Sequence, residues 1–537
     1  MDDALRRLPI LQARIALAGA AVTLLVGAAG AQAASNLIVC TESSPDGFDI
    51  VQYESAVTND AAGLTIYDQL LRFKPGSTEL IPGLAESWRV SADGRIYTLQ
   101  LRKGVKFHTT PWFKPTRDFN ADDVLWSINR INDKTHPAHA VARGGYIYWQ
   151  GMGMAQLLRS VEKVDAYTVR ITLARAEAPF LANLAMPPIG SIYPAEYGLQ
   201  LQKAGRLDQL NSQPVGSGPF VFKSYQKDAV IRYTAHAAYW DGAPKIDNLI
   251  FAITNDPNVR VQRLKAGECQ IGIAMKPDLA TAFDAVPEIR MIRSTPLITS
   301  YIAANAKHPP LDDPRFREAL WLAYDSKSAI ASVYGGHATP AGSFLPPGIW
   351  SHDASLAKRF DPEKARALVK ASRYDGRELS LYTRIGGSID GRRAAELMQS
   401  DWARAGIKVK VQMIEWGELL KRTAAGEHDI TFLSWAGDNG DPDNFMTPNL
   451  SCAAVASGGN KGHWCNPAFD RLIDEARRTT DIARRSALYK QAQRLVFDEA
   501  GVIPTVYPEV MTAVSQRVDG FVASPFAAND FRRVSLR

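Results

Sequence analysis

The sequence predicts a mixed α/β protein, because strand-type and helix-type hydrophobic patterns alternate along most of its length. Apolar and polar residues alternate with a period of two in residues 97–101, 169–173 and 409–413, which is typical of half-buried strands. Residues 120–131 instead place four apolar side chains on one helical face: Val124, Leu125, Ile128 and Ile131. We find no fixed-period repeat, low-complexity tract or long linker, so composition marks no domain boundary.

Helix starts can be placed more precisely than strand ends. Asn120 is a good N-cap for the helix over 120–131, and Asp123 adds an acid to its first turn. Three further starts combine an Asp or Asn cap with a proline at the first helical position, where a missing N–H costs no hydrogen bond. They are Asp313-Pro314, Asp361-Pro362 and Asn466-Pro467. A strand followed by a turn is expected over 97–107.

The composition is that of a large globular protein. The chain has 537 residues, 46% hydrophobic and 22% charged, which excludes a mostly disordered or fibrous protein and allows more than one core. A net charge of +6 over this length is a small excess and does not indicate the clustered basic surface of a nucleic-acid-binding protein. Four cysteines and nine histidines argue against a zinc-rich or disulfide-scaffold protein.

The N-terminus predicts a secretory signal peptide over residues 1–33. Arg6, Arg7 and Arg14 precede an uncharged apolar run, 15–31, and Ala31-Gln32-Ala33 fits a cleavage site. A transmembrane anchor is the alternative, but the run is short and rich in Ala and Gly.

All four cysteines follow this segment and would face an oxidising compartment, which favours disulfides over buried free thiols. Three pairings are possible. Proximity favours Cys452 with Cys465, which leaves Cys40 with Cys269.

Motifs for catalysis or cofactors are missing from the sequence. It contains no P-loop, no G-x-S-x-G elbow and no H-E-x-x-H. Gly151-Met152-Gly153 lacks the third glycine of a dinucleotide loop, and His136 and His139 have no acidic or cysteine partner nearby. We therefore expect neither a metal nor a cofactor; a secreted hydrolase is a remote alternative.

One acidic loop stands out, at 434–445. Asp438, Asp441 and Asp443 follow the apolar run 430–433 among Gly, Pro and Asn residues, close to Trp435. An aspartate at a strand end can pair with a ligand ammonium while the indole packs against an apolar side chain. A calcium loop is less favoured, because an EF-hand needs Gly and Glu where this chain has Asp443 and Asn449. A purely structural Asx turn is the other alternative.

Several long motifs then resemble one family. They are residues 37–40 with 44–48, the run 81–88 followed by 91–94 and 101–108, and residues 120–124, 216–220 and 438–445. Together they resemble the periplasmic dipeptide-binding proteins of peptide ABC transporters, which are solute-binding proteins of family 5, cluster C. The resemblance runs nearly end to end.

The resemblance implies a type II periplasmic-binding-protein fold, with two hinged lobes that close over the ligand and an inserted extra domain. Lobe I would combine residues 34–67, 219–266 and 509–537. The inserted domain would span 68–218 and lobe II 267–508. It also implies a monomer without catalysis that captures a short peptide and delivers it to the permease subunits of an inner-membrane transporter.

The resemblance further assigns site residues. Asp438 would pair with the peptide's α-ammonium, with Trp435 and Trp416 as pocket walls. Tyr146 and Tyr148 match a pocket-facing aromatic stretch, and Thr58 falls near an early pocket segment. The disulfide pairs of close relatives correspond to Cys40–Cys269 and Cys452–Cys465.

One stretch departs from the family pattern, at 383–391. Dipeptide binders use an arginine there to grip the α-carboxylate, and the stretch is shorter in this chain. Arg384 can supply the two parallel N–H groups that bind a carboxylate. Arg392 and Arg393 instead begin an apparent helix, where they can simply face the solvent. A tripeptide, a modified peptide such as glutathione, an opine-like conjugate or haem are therefore alternative ligands.

Overall fold

The computed structural model describes residues 34–537 except 358–359, 387–388 and 527, and the side chains of 277 and 278 are also left out. The predicted export signal, residues 1–33, lies outside the described residues. Within them, no helix is both long and apolar enough to cross a lipid bilayer.

The strands, in chain order, are β1 Asn36–Thr41, β2 Leu71–Phe73, β3 Leu80–Pro82, β4 Ala85–Val90, β5 Ile96–Leu101, β6 Leu158–Asp165, β7 Thr168–Leu173, β8 Phe220–Gln226, β9 Val230–Ala235, β10 Asn248–Ile253, β11 Ile271–Met275, β12 Ile289–Ser294, β13 Ile298–Ala304, β14 Ala338–Pro340, β15 Leu379–Arg384, β16 Val409–Ile414, β17 Ile430–Ala436, β18 Ile503–Pro508, β19 Val510–Ser515, β20 Val518–Asp519 and β21 Ser535–Leu536.

The α-helices are α1 Ala56–Thr58, α2 Ala121–Asn132, α3 Ile147–Gly151, α4 Met154–Leu157, α5 Phe180–Ala185, α6 Pro187–Gly190, α7 Ala195–Lys203, α8 Pro257–Lys265, α9 Pro314–Ala323, α10 Ser326–Ser332, α11 Pro362–Ala371, α12 Gly391–Arg404, α13 Trp416–Ala425, α14 Asp443–Leu450, α15 Cys452–Ser457, α16 Pro467–Arg478 and α17 Ile482–Asp498. Short 3₁₀ or π segments lie at Ile50–Gln52, Asn59–Gly63, His139–Val141, Leu207–Asn211 and Pro277–Phe283.

The hydrophobic patterns correctly located four of these elements: β5, β7, β16 and α2. The three period-two segments are β5, β7 and β16, and in β5 the side chains of Tyr97, Leu99 and Leu101 all point into the core. In α2 the side chain of Asn120 caps the helix, and the Asp123 carboxylate accepts the backbone N–H of Asn120, which completes a capping box.

The three proline-marked helix starts are also confirmed, as α9, α11 and α16. In each, the predicted Asp or Asn side chain accepts a backbone N–H of the first turn. The caps satisfy N–H groups that have no partner inside the helix.

Two large sheets organise the described strands. One has seven strands in the order β12-β19-β11-β1-β10-β9-β8, and the other has six in the order β14-β18-β13-β17-β15-β16. A four-stranded antiparallel sheet, β4-β5-β7-β6, lies within the predicted inserted domain. The mixed α/β class is confirmed.

The seven-stranded sheet combines strands that the predicted division assigns to different lobes. It includes β11 and β12, which the predicted division assigns to lobe II, although β11 pairs in parallel with β1 and β12 pairs with β19. This pairing favours a passage between lobes after β12 rather than at residue 267. The division into domains stays a prediction.

Both disulfides have the expected partners. Cys40 in β1 bonds to Cys269 just before β11, across a sequence separation of 229, and Cys452 bonds to Cys465 across 13. A long closed loop restricts the unfolded chain more than a short one does, so the first bond removes more disorder from the unfolded state.

Candidate functional site

The acidic loop begins where β17 ends. Asp438 follows Ala436 and Gly437, and its backbone N–H donates to Asn444 Oδ1 at 2.9 Å. The Gly437 N–H donates to the carbonyl of Leu297 at 2.6 Å, which ties the strand end to the neighbouring segment. The loop is therefore held by its own side chains and presents Asp438 in a fixed position.

The three aspartates of the loop have different surroundings. Asp441 is buried and accepts two hydrogen bonds from Arg485 Nη2, both 2.9 Å long. Asp443 is buried, accepts from the Thr447 hydroxyl and lies 3.6 Å from Arg477 Nε. Along the loop, Asn439 Oδ1 accepts the backbone N–H of Asp441, and Asp441 Oδ1 accepts that of Asp443. The structural-turn interpretation thus holds for Asp441 and Asp443.

Asp438 is different because it has no cationic partner among the described residues. It is half-buried, and the Tyr148 hydroxyl donates to its Oδ2. Burial raises the pKa of Asp438 to about 7; the negative charge of Glu54 raises it further, and the Tyr148 bond opposes the shift. A desolvated carboxylate without a counter-ion is a strong acceptor for an incoming cation.

Aromatic side chains flank this carboxylate. Tyr148 in α3 is buried, and the centre of its ring lies 6.4 Å from that of Trp435 at 44°. Trp435 is half-buried, and its indole Nε1 has no acceptor within the described part of the chain. The predicted group Asp438, Trp435 and Tyr148 is thus brought together.

A second group, Arg384 and Trp416, lies at the ends of the next strands. β15 is parallel to both β16 and β17. Arg384 is the last residue of β15, and Trp416 follows β16 as the first residue of α13. Because Asp438 follows β17, all three side chains leave the same edge of the sheet. The crevice beyond the carboxyl ends of parallel strands is a common ligand site.

Arg384 is available for an anion. Its guanidinium lies 4.6 Å from the centre of the Trp416 ring, a cation–π contact that orients the group. It makes no hydrogen bond or ion pair with the described residues, and its buried Nε has no acceptor there. Burial lowers the pKa of Arg384, and the negative charges of Glu42 and Glu415 oppose that shift. In contrast, Arg392 and Arg393 are exposed on α12.

Tyr146 and Thr58 use their polar groups internally. The Tyr146 hydroxyl donates to the carbonyl of His139 at 3.2 Å. The Thr58 hydroxyl donates to Asp46 Oδ2 at 3.0 Å and accepts the Asp46 N–H at 2.9 Å. Both residues are buried. These bonds favour a bracing role, and their assignment as ligand contacts stays a prediction.

Two charged residues near the site carry no sequence signal. Burial raises the pKa of Glu54, whose charge also acts on Asp438 and Tyr301. Burial lowers the pKa of Lys461, and the charge of Glu54 opposes that shift. No ion pair joins them. Neither lies in a recognisable motif, so only the folded chain shows that they act on the same region.

A buried network braces the acidic loop. Arg477 Nε donates to Glu177 Oε1 at 2.6 Å, and the Ala178 N–H donates to the Arg477 carbonyl at 2.7 Å. Asn439 Nδ2 donates to Asn183 Oδ1 at 2.7 Å. These bonds connect the segment 177–183 with the loop and with α16.

The described residues contain no group of three or more acidic, His or Cys side chains that could hold a metal ion. In the acidic loop, Asp441 is taken up by an arginine and Asp443 by a hydroxyl and a nearby arginine. The geometry therefore gives the calcium-loop alternative no support.

Comparison with known proteins identifies the class. The model of the bacterial extracellular solute-binding proteins, family 5, matches residues 79–457. The chain belongs to this family, and its fold is the two-lobed α/β fold of periplasmic binding proteins.

Individual relatives span nearly the whole chain. Di/tripeptide-binding protein 4 of Pseudomonas aeruginosa is 51% identical over 96% of this chain and 98% of its own. Heme-binding protein A of Haemophilus influenzae is 41% identical over 94% and 93%. The crystal structure of a dipeptide-binding protein from Pseudoalteromonas in complex with Met-Leu superposes with a TM-score of 0.89, at 33% identity over 94% of this chain and all of that one.

Proposed function

We propose that this protein captures short peptides of dipeptide type and delivers them to an ABC importer. The observation that carries the proposal is the pair of unmatched charges at neighbouring strand ends, Asp438 and Arg384. A zwitterionic peptide offers an ammonium for the first and a carboxylate for the second. Recognition through main-chain charges tolerates many side chains.

Closure of two lobes would desolvate both contacts and strengthen them. We place the crossings between lobes at 295–297, between β12 and β13, and at Glu509, between β18 and β19. The two crossings lie side by side, because Ser294 pairs with Val510 in one sheet and Ser300 with Val506 in the other. Two adjacent short crossings can act as a hinge.

The cellular setting follows from the same proposal. Residues 1–33 would direct export to the periplasm and be removed, and the disulfides suit that oxidising compartment. The protein would act as a monomer and dock on permease subunits in the inner membrane. No cofactor takes part.

Peptide fits the site better than haem does. Asp438 is a half-buried carboxylate without a counter-ion among the described residues, and an anionic haem propionate placed there would be repelled. An ammonium, by contrast, would neutralise it. Free peptide termini are therefore the chemistry that the two unmatched charges favour.

Calorimetric titration with a panel of dipeptides tests the proposal, and chromatography of the same mixtures tests for turnover. We expect saturable binding with the peptide recovered intact. Appearance of free amino acids would instead support a hydrolase. Saturable binding of haem, with none of any peptide, would support the other ligand class.

A further inference from the structure

A cavity opens beside Asp438 and is lined in part by residues of the C-terminal segment. Its walls come from residues within 59–77, 185–187, 520–526 and 528–533, and Asp438 is part of its lining. Counted out to the solvent at its mouth, its volume is about 890 Å³.

Part of the wall is apolar. Phe73 and Phe526 pack with ring centres 4.6 Å apart, and Leu64 and Val522 complete this side. Such a surface suits the methylene groups of a side chain rather than a small ion.

Two buried arginines line the same cavity. The Arg72 side chain is 7% exposed, and its Nη1 donates to Asp241 Oδ2 at 3.1 Å and to the Tyr239 hydroxyl at 3.4 Å. Its guanidinium also stacks 4.5 Å from the centre of the Trp240 ring. The Arg532 side chain is 10% exposed and contacts Asp530 through Nε.

Each guanidinium has N–H groups left over. Within the described residues, Nε of Arg72 is buried and has no acceptor, and no hydrogen bond is found from Nη2 of Arg72 or from either Nη of Arg532. A guanidinium carries five N–H donors, and buried donors without acceptors are costly. A carboxylate is the acceptor whose planar geometry matches such a fork.

We propose that this cavity receives the side chain of the ligand's first residue and prefers glutamate there. The proposal rests on the function above, because Asp438 can hold the α-ammonium only if the ligand is a peptide. The side chain on the adjacent Cα then starts at the cavity that Asp438 lines. Its methylene groups would contact Phe73 and Leu64, and its carboxylate would accept from Arg72 and Arg532.

The test is calorimetric titration of the full-length mature protein with Glu-Ala, Gln-Ala, Lys-Ala and Gly-Ala. Glu-Ala is expected to bind at least tenfold more tightly than Gly-Ala, with Gln-Ala between them and Lys-Ala weakest. Arg532→Met should reduce the preference for Glu-Ala to less than threefold. Arg517→Met, which removes an exposed arginine of the same segment, should leave it unchanged.

A second variant covers the case in which Arg532→Met folds poorly. Ala528 is a half-buried residue of the cavity wall, so Ala528→Trp should fill the space and weaken Glu-Ala while sparing Gly-Ala. Equal affinities of all four peptides for the wild type would overturn the proposal. The proposal would also be overturned if Ala-Glu-Ala bound more tightly than Glu-Ala and Ala528→Trp abolished the difference. The cavity would then hold a residue that extends the peptide beyond its N-terminus. Absence of binding by Gly-Ala itself would count against the peptide function, not the cavity alone.

Discussion

Replacement of Asp438 by Asn removes the charge that we expect to hold the peptide's ammonium, while it keeps the size of the side chain. In the folded protein this carboxylate has the Tyr148 hydroxyl as a donor but no cation among the described residues. Truncating one partner of a buried, hydrogen-bonded charge pair costs about 2–5 kcal/mol. At about 1.4 kcal/mol for each factor of ten, affinity should fall roughly 30-fold to several-thousand-fold.

The pH dependence gives a sharper test of the same residue. The pKa of Asp438 is raised to about 7 in the ligand-free protein, and only the ionised form attracts an ammonium. Affinity should therefore fall about tenfold per pH unit below pH 7. It should fall again above about pH 8, where the peptide's own amine loses its proton. In Asp438→Asn, the fall in affinity below pH 7 (the acid limb) should disappear, and the fall above about pH 8 should remain.

Calorimetric titration of one dipeptide between pH 5 and 9 measures both effects. Asp208→Asn is the matched control, because Asp208 is exposed and carries the same charge. A change of less than threefold in affinity at pH 7.5, or an acid limb that persists in Asp438→Asn, would show that another group holds the ammonium.

Four further predictions concern neighbouring groups. Tyr148→Phe removes a hydrogen bond that lowers the pKa of Asp438, so the loss of peptide affinity at low pH should begin at a higher pH. If the loss began at the same pH as in the wild type, the contact would be contradicted. Arg384→Gln should weaken a dipeptide at least tenfold but leave its C-terminal amide unaffected, and equal losses would exclude a carboxylate contact. Arg477→Met leaves the buried Asp443 without its arginine and Glu177 with Arg175 as its remaining cation, and should lower the free energy of unfolding by about 3–5 kcal/mol. Arg478→Met, at an exposed pair, should cost less than about 1 kcal/mol, and equal losses in urea titrations would refute the difference. Finally, the ligand-free protein should lose stability as the pH rises from 7 to 8.5, because the raised pKa values of Asp60 (about 8), Glu177 (about 7) and Asp438 (about 7) keep protons bound in the folded state that the unfolded state has released. Buried histidines with a lowered pKa, such as His108 and His428, act in the opposite direction mainly below pH 7. A melting temperature that rises between pH 7 and 8.5 would contradict the prediction.

Local signals in the sequence predicted local structure well. The caps at Asn120, Asp313 and Asn466 are readable because a helix start depends on a few adjacent residues. The acidic loop also predicted that an aspartate at this strand end binds a ligand ammonium, but the choice of Asp438 came from the family resemblance. Only the structure shows that Asp441 and Asp443 have arginine partners while Asp438 has none among the described residues.

Long-range arrangement could not be read in the same way. That Arg384 and Asp438 share a sheet edge depends on the parallel pairing of β15 with β17, which no local pattern encodes. Whether Asp441 and Asp443 are free or matched depends on arginines more than thirty residues away in sequence. The available N–H groups of Arg72 and Arg532 likewise become visible only when both ends of the chain are placed together.

The most direct test of the central claim compares a dipeptide with its N-acetylated form by calorimetry at pH 7.5. Acetylation removes the ammonium and leaves the rest of the ligand nearly unchanged. If Asp438 binds that ammonium, affinity for the acetylated peptide should fall at least a hundredfold in the wild type and by much less in Asp438→Asn. Equal affinities of the wild type for the two peptides would contradict the account.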